Sequence, residues 1–201
     1  MNTSILAVPI SVRGLIFDCD GTLADSMPLH LKSWHDEFAA HGLTCPQEFL
    51  DVRKGAAVAD IVREFNRAFH ADLDPERFAS NKEKRSLEKL RSVRPIRPVI
   101  DIVLDHLGRL PMAVVSGGSR TNVMLTLEVL GLKQAFETVI TSDDGFPSKP
   151  APDMFLEAAR RMGLAPESCR VYEDGDLGLE AARKAGMNAV DVRPLFQSRI
   201  V

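Results

Sequence analysis

The sequence predicts an α/β protein: a parallel sheet with helices on both faces, interrupted after its first strand by an all-helical insertion. Three observations lead there. Short apolar runs rich in β-branched residues recur along the chain. Amphipathic stretches of helical length separate the later runs, and one long early segment carries helical periodicity alone.

The strands, in order, are Gly14 to Phe17, Met112 to Val115, Thr138 to Thr141, Arg170 to Tyr172 and Ala189 to Val192. Val99 to Leu110 repeats apolar residues at three- and four-residue spacing. Arg120 to Leu130 does so through Val123, Leu127 and Leu130, with Gly131 placed to end the helix. Pro152 to Met162 has proline in its first turn and Gly163 at its end, and Leu177 to Lys184 stops just before Gly186.

Residues 26 to 92 break the alternation. Helices are expected over Pro28 to Ala40 (closed by Gly42), near Pro46 to Val52, over Val58 to Phe69 and over Pro75 to Leu90. Asp74-Pro75 supplies an N-cap followed by proline at N1, and Thr44-x-x-Gln47 has the spacing of a capping box. With about 65 residues of helix between two strands, a separate subdomain is more economical than a crossover. The expected division is a core of residues 1–25 and 93–201 and a helical cap of residues 26–92. The chain re-enters the sheet through RPIRPVI, whose prolines suit a hinge-like linker.

Composition narrows the function. A chain of 201 residues is long enough for one domain with a substantial core, or for one domain carrying an insertion. The formal net charge of −3 offers no broad basic surface, so no nucleic-acid partner is expected. Cys19, Cys45 and Cys169 form no CxxC pair, which fits reduced thiols in a cytoplasmic protein. The opening MNTSILAVPISV has no basic residue before its apolar part, contains Pro9 and is too short to span a bilayer. Neither a membrane partner nor a secretory leader is expected, and a monomer is the default state.

In an open parallel sheet, ligands gather at the carboxyl ends of the strands. Asp18-Cys19-Asp20-Gly21-Thr22 follows the first strand and Ser116-Gly117-Gly118-Ser119 the second. Lys149 lies in the loop after the third, and Glu173-Asp174-Gly175-Asp176 follows the fourth. Chance would scatter such residues over both edges. Carboxylates in this number, with no His and with Cys19 as the one sulfur residue among them, suit a hard, oxygen-seeking cation, Mg²⁺ above zinc. Ser116 with the adjoining Gly117 offers a hydroxyl and unobstructed N–H groups to an anion, and Lys149 adds a positive charge. Together these match a phosphoryl group, neutralised by Mg²⁺ and lysine while a nucleophile attacks in line. Carboxylates that form an aspartyl-phosphate are an established nucleophile for this.

The motifs also carry a resemblance. DCDGTLADS, VVSGGS, SKPAPDMF and YEDGDLGLEAARKAGM resemble, in order, the four motifs of the haloacid dehalogenase superfamily, in the branch with a small helical cap after the first strand. Within it the chain is similar to β-phosphoglucomutase-like proteins and sugar-phosphate phosphatases. The resemblance implies a Rossmann-like core and assigns Asp18 as nucleophile and Mg²⁺ ligand. It makes Asp20 the general acid and base, with its main-chain carbonyl also on the metal. Asp174 becomes a metal ligand with Glu173 beside it as ligand or supporting partner, and Ser116 and Lys149 hold the phosphoryl group. Dehalogenases and phosphonatases of the superfamily lack an Asp at the place of Asp20, so phosphate-ester chemistry is preferred. The fourth motif usually reads Glu-Asp-Ser; here Gly175 replaces the serine and Asp176 follows. Asp176 is read as a helix cap in preference to a metal-shell residue.

In the cap, His30 and Trp34 stand four residues apart and share a helix face. Spacing alone makes both of them interior packing; the resemblance turns His30 into a substrate or acid/base-positioning contact. Lys54 and Lys82 match cap positions that hold cationic contacts in the mutases, although each alone reads as a solvated charge. The mutases follow the cap glycine with Ser-Arg, whereas this chain reads Gly55-Ala56-Ala57. That absence tilts the reading from phosphohexomutase towards hydrolysis. Asp143 and Asp144 end the third strand on the active edge, as turn residues or near the metal. Arg120 reads as a solvated helix start. The expected activity is Mg²⁺-dependent hydrolysis of a small sugar phosphate. A mutase is the first alternative and a non-catalytic binding module the second.

Overall fold

The computed structural model describes residues 6–53 and 58–195. It divides into two compact units: Met1–Ser26 with Val93–Val201, and Met27–Ser92.

The first unit is a five-stranded sheet in the order β3-β2-β1-β4-β5, with β1 Gly14–Phe17, β2 Met112–Val115, β3 Thr138–Ile140, β4 Cys169–Glu173 and β5 Asn188–Asp191. Every pairing is parallel. Parallel strands need crossovers, which lay helices on both faces and leave no solvated side. The central strand therefore reads GLIF with every residue buried, without polar alternation. Its side chains still alternate by face. Leu15 and Phe17 join a core layer with Val99 and Val103 of α5 (Arg97–His106) and Val123 and Leu127 of α6 (Arg120–Val129). Ile16 faces the other way, onto Phe155 and Ala158 of α7 (Asp153–Arg161) and Ala181 of α8 (Asp176–Lys184). The Phe17 ring stacks on Tyr172 of β4 at 5.0 Å, and Tyr172 donates its hydroxyl proton to the Leu6 carbonyl at 3.1 Å. Burying one such ring contributes about 2–3 kcal/mol.

Two expectations for this unit change. The second proline of RPIRPVI, Pro98, lies in the first turn of α5 and so opens a helix, where its missing N–H costs nothing. That helix ends at His106 and not at Leu110, because Gly108 turns the chain with φ +70°. Gly131, Gly163 and Gly186 adopt φ of +72°, +69° and +76° just past the ends of α6, α7 and α8.

The second unit holds α1 (Met27–Ala40), α2 (Gln47–Asp51), α3 (Val58–Phe69) and α4 (Pro75–Leu90). Asp74 caps α4, its carboxylate accepting from the amides of Glu76 and Arg77 at 3.0 and 3.1 Å. Phe38 sits between Phe65 (4.4 Å) and Phe78 (4.7 Å), and Trp34 packs beside them. Thr44 and Gln47 do not form the expected capping box. Pro46 occupies the N-cap of α2, Gln47 is its first helical residue, and no side chain caps it.

Among the described residues, no helix is long and apolar enough to cross a membrane.

Candidate active site

With β1 central, its carboxyl end lies between those of β2 and β4. The Asp18 amide continues the ladder by donating to the Tyr172 carbonyl at 3.0 Å, which sets the Asp18 side chain beside the end of β4. Asp18 is only 6% exposed. Lys149 donates from Nζ to Asp18 Oδ1 (2.7 Å), to Glu173 Oε1 (3.0 Å) and to the Val115 carbonyl (3.2 Å). One ammonium thus ties together the ends of β1, β2 and β4. Glu173 is held on its other oxygen as well: Oε2 accepts from the amides of Asp174 (2.7 Å) and Gly175 (3.2 Å).

Asp174 completes the cluster, with Thr22 donating its hydroxyl to Oδ1 at 2.9 Å. Thr22 is fully buried in the turn that follows β1. That turn closes as the Gly21 amide donates to the Ala24 carbonyl at 2.8 Å, with Gly21 at φ +86°. A side chain there is excluded twice, by the dihedral and by the Asp174 Cγ, which would lie 2.7 Å from a Cβ.

Carboxylate oxygens of Asp18, Glu173 and Asp174 lie within 4.8 Å of one another. Three carboxylates thus face a single ammonium. Burial and the nearby Glu173 charge push the Asp18 carboxyl well above its usual range, against the pull of Lys149. Burial and Glu173 likewise raise Asp174 to about 6. Burial opposes the charge on Lys149, yet Asp18 and Glu173 outweigh it and keep the ammonium protonated. Such a cluster is short of positive charge. Its donor set is oxygen alone, which fits a hard divalent cation of the Mg²⁺ class and gives zinc or copper no soft ligand.

Asp20 stands apart from this group. The fully buried Ser26 donates its hydroxyl to Asp20 Oδ1 at 2.5 Å. A Cβ on Gly118 would lie 3.2 Å from Asp20 Oδ2 and 3.3 Å from Ser116 Oγ, so Asp20 borders the loop after β2. In that loop Ser116 is buried and accepts from the Gly118 amide at 3.0 Å, while Gly117 is exposed with open space around it.

The remaining expected residues fall outside this cluster. Asp144 is a turn residue: its Oδ2 accepts from the Thr141 amide and hydroxyl and from Arg120 Nη2 at 2.6 Å. Asp143 accepts from the Arg120 amide at 2.9 Å. Arg120 is therefore an ion-paired residue and not simply a solvated helix start. Asp176 corrects its cap reading. Gly175 holds the N-cap of α8 with no side-chain cap bond, and the exposed Asp176 pairs with Arg193 at 2.8 Å. In the helical unit His30 is half-buried on α1, and Lys54 lies outside the described residues. Lys82 departs from the solvated reading: it is 6% exposed, with Nζ 5.6 Å from the Trp34 ring centroid. Thr22 and Ser26, whose hydroxyls hold Asp174 and Asp20, are members of the candidate site that the sequence reading does not name as such. Both lie inside DCDGTLADS, and their hydroxyls at fixed offsets from the carboxylates were the available signal.

The family model for haloacid dehalogenase-like hydrolases matches residues 15–192, and the chain belongs to that family. Among curated proteins it is 42% identical to the fructose-1-phosphate phosphatase YqaB of Escherichia coli K12, over 90% of this chain and 97% of the relative. It is 30% identical to hexitol phosphatase A of the same organism, over 90% and 82%. Among solved structures, CbbY from Rhodobacter sphaeroides in complex with phosphate superposes with a TM-score of 0.78 at 24% identity, covering 89% of this chain and 84% of that one. The β-phosphoglucomutase of Clostridium difficile gives 0.76 at 20%, covering 90% and 84%. At those identities the likeness establishes the fold.

Proposed function

We propose that the chain is a Mg²⁺-dependent phosphatase of a small sugar phosphate, with a hexose phosphate such as fructose 1-phosphate as the first candidate. The observation that carries this is the Lys149 ammonium bound at once to Asp18 and Glu173 beside a third carboxylate, at the carboxyl end of the central strand. The two phosphatase relatives favour the substrate class.

In this reading Asp18 attacks the phosphorus through a carboxylate oxygen. The phosphoryl group passes to Asp18, and the bond to the sugar oxygen breaks. Asp20 donates its proton to that oxygen, then takes one from the water that hydrolyses the aspartyl-phosphate. Inorganic phosphate leaves and Asp18 is regenerated. Ser26 fixes the rotamer of Asp20 for both proton transfers. Lys149, the Ser116 hydroxyl and the open Gly117 amide bind the phosphoryl oxygens. Asp18, Asp174 and the Asp20 carbonyl would hold Mg²⁺, which when bound neutralises phosphoryl charge and lets an anionic nucleophile approach. Glu173 has both oxygens engaged, so it fits a holder of Lys149 better than a direct ligand. The buried free thiols Cys19, Cys45 and Cys169 suit a reducing, cytoplasmic setting. Residues 26–92 would act as the cap, and His30, Lys54 and Lys82 are proposed as its substrate contacts.

A panel of phosphorylated sugars with Mg²⁺, read as released phosphate, tests the reading. Phosphate from at least one hexose phosphate is expected. Incubation with β-glucose 1-phosphate and trace bisphosphate adds the mutase test: glucose 6-phosphate in excess of free phosphate would overturn hydrolysis.

A further inference from the structure

We infer that Gly178 is a positioning residue for Lys149, acting through Glu173; this rests on the proposed role of Lys149 in binding the transferring phosphoryl group. Gly178 is the third residue of α8 and is buried. A glycine inside a helix weakens it relative to alanine, so its presence needs a reason. The reason is visible in space. A Cβ on Gly178 would run into Oε1 and Cδ of Glu173, with Cγ at 2.6 Å. The Glu173 side chain lies in the volume that any other residue at 178 would occupy. Gly175, three residues earlier, makes no such demand, since a Cβ there would find Glu173 Oε1 at 3.6 Å, an ordinary contact.

Glu173 cannot yield without loss. Oε1 accepts from Lys149, and Oε2 accepts from the amides of Asp174 and Gly175. Its carbonyl accepts from the Val192 amide at 3.0 Å, which fixes its backbone at the end of β4. A methyl group at 178 would therefore swing the carboxylate away and break these side-chain bonds. Lys149 would keep Asp18 and the Val115 carbonyl and lose the acceptor that draws it towards β4. The ammonium would settle onto the nucleophile, capping the lone pairs that must attack and leaving the phosphoryl oxygens unserved.

A double-mutant cycle separates this from plain helix packing. G178A should lower kcat by about 10²-fold, the size expected when one preorganised donor is lost. In an E173A background, where the space is empty, the same change should move the residual kcat less than twofold. There it should also raise the melting temperature, as alanine normally does in a helix, whereas in the wild-type background G178A should lower it. G178A with wild-type kcat would overturn the inference, as would equal rate losses in both backgrounds. A G178A chain that fails to fold and is not restored by E173A would do the same. If the wild type hydrolyses no phosphate ester, the proposed function falls, while the opposite signs of the two melting shifts still decide the contact between residues 178 and 173.

Discussion

Each unit of the molecule buries carboxylates, and it treats them in opposite ways. In the helical unit Glu37 is 1% exposed and fully neutralised from within. Arg85 Nε donates to it at 2.6 Å, Asn81 Nδ2 at 3.0 Å, and His41 Nε2 lies 3.2 Å away. Burial alone would raise its pKa, but these partners outweigh it and hold Glu37 below the usual carboxylate range. In the sheet unit, Asp18, Glu173 and Asp174 share one lysine, and both aspartates are raised. A structural carboxylate carries its own counter-charge, whereas the three carboxylates at the sheet edge share one lysine, a donor set that a divalent cation would fit.

Breaking the chemical side should cost most. Asp18→Asn removes the proposed nucleophile and should lower kcat by about 10⁴-fold or more. Circular dichroism of the variant should match the wild type; phosphate release near the wild-type rate would remove Asp18 from the mechanism. Lys149→Ala should cost about 10²–10³-fold in kcat, the loss of one donor to the developing charge. Measuring kcat and KM separately checks that the loss sits in the chemical step.

The structural side answers in stability. Glu37→Gln should destabilise the protein by about 2 kcal/mol in urea unfolding, less than a wholly buried pair because Arg85 reaches water. Its pH dependence has a definite sign. With a folded pKa below the ordinary glutamate value of 4.5, Glu37 contributes its full stability above pH 4.5 and loses it as pH falls through the lowered value. Wild-type stability should therefore drop more steeply than that of Glu37→Gln on acidification below 4.5, and parallel curves would count against the pairing.

Much of this was readable from residue order. Helices α3 and α4 begin and end where periodicity, Asp74-Pro75 and the flanking turns put them, because those signals are local. The carboxyl ends of the strands also gathered Asp18, Lys149, Glu173 and Asp174 as expected from a parallel sheet, since topology fixes the edge whatever the loops do. What escaped was side-chain contact across the fold. Nothing local shows that Thr22 reaches Asp174, 152 positions away, or that Glu173 fills the space above Gly178. Asp176 looked like a cap by position and pairs instead with Arg193, which folds back after β5. Lys82, inside NKEKR, reads as solvated until α4 is placed with its side chain near Trp34.

The shortage of positive charge is tested most directly by calorimetric titration of Mg²⁺ into the metal-free protein and into Asp174→Asn, without substrate. Asn keeps an acceptor for Thr22, so the turn after β1 should hold. The wild type should bind one Mg²⁺ per chain, and Asp174→Asn should bind at least about tenfold more weakly while melting no lower than the metal-free wild type. Equal Mg²⁺ affinity in the two proteins, or no binding by the wild type, would contradict the account.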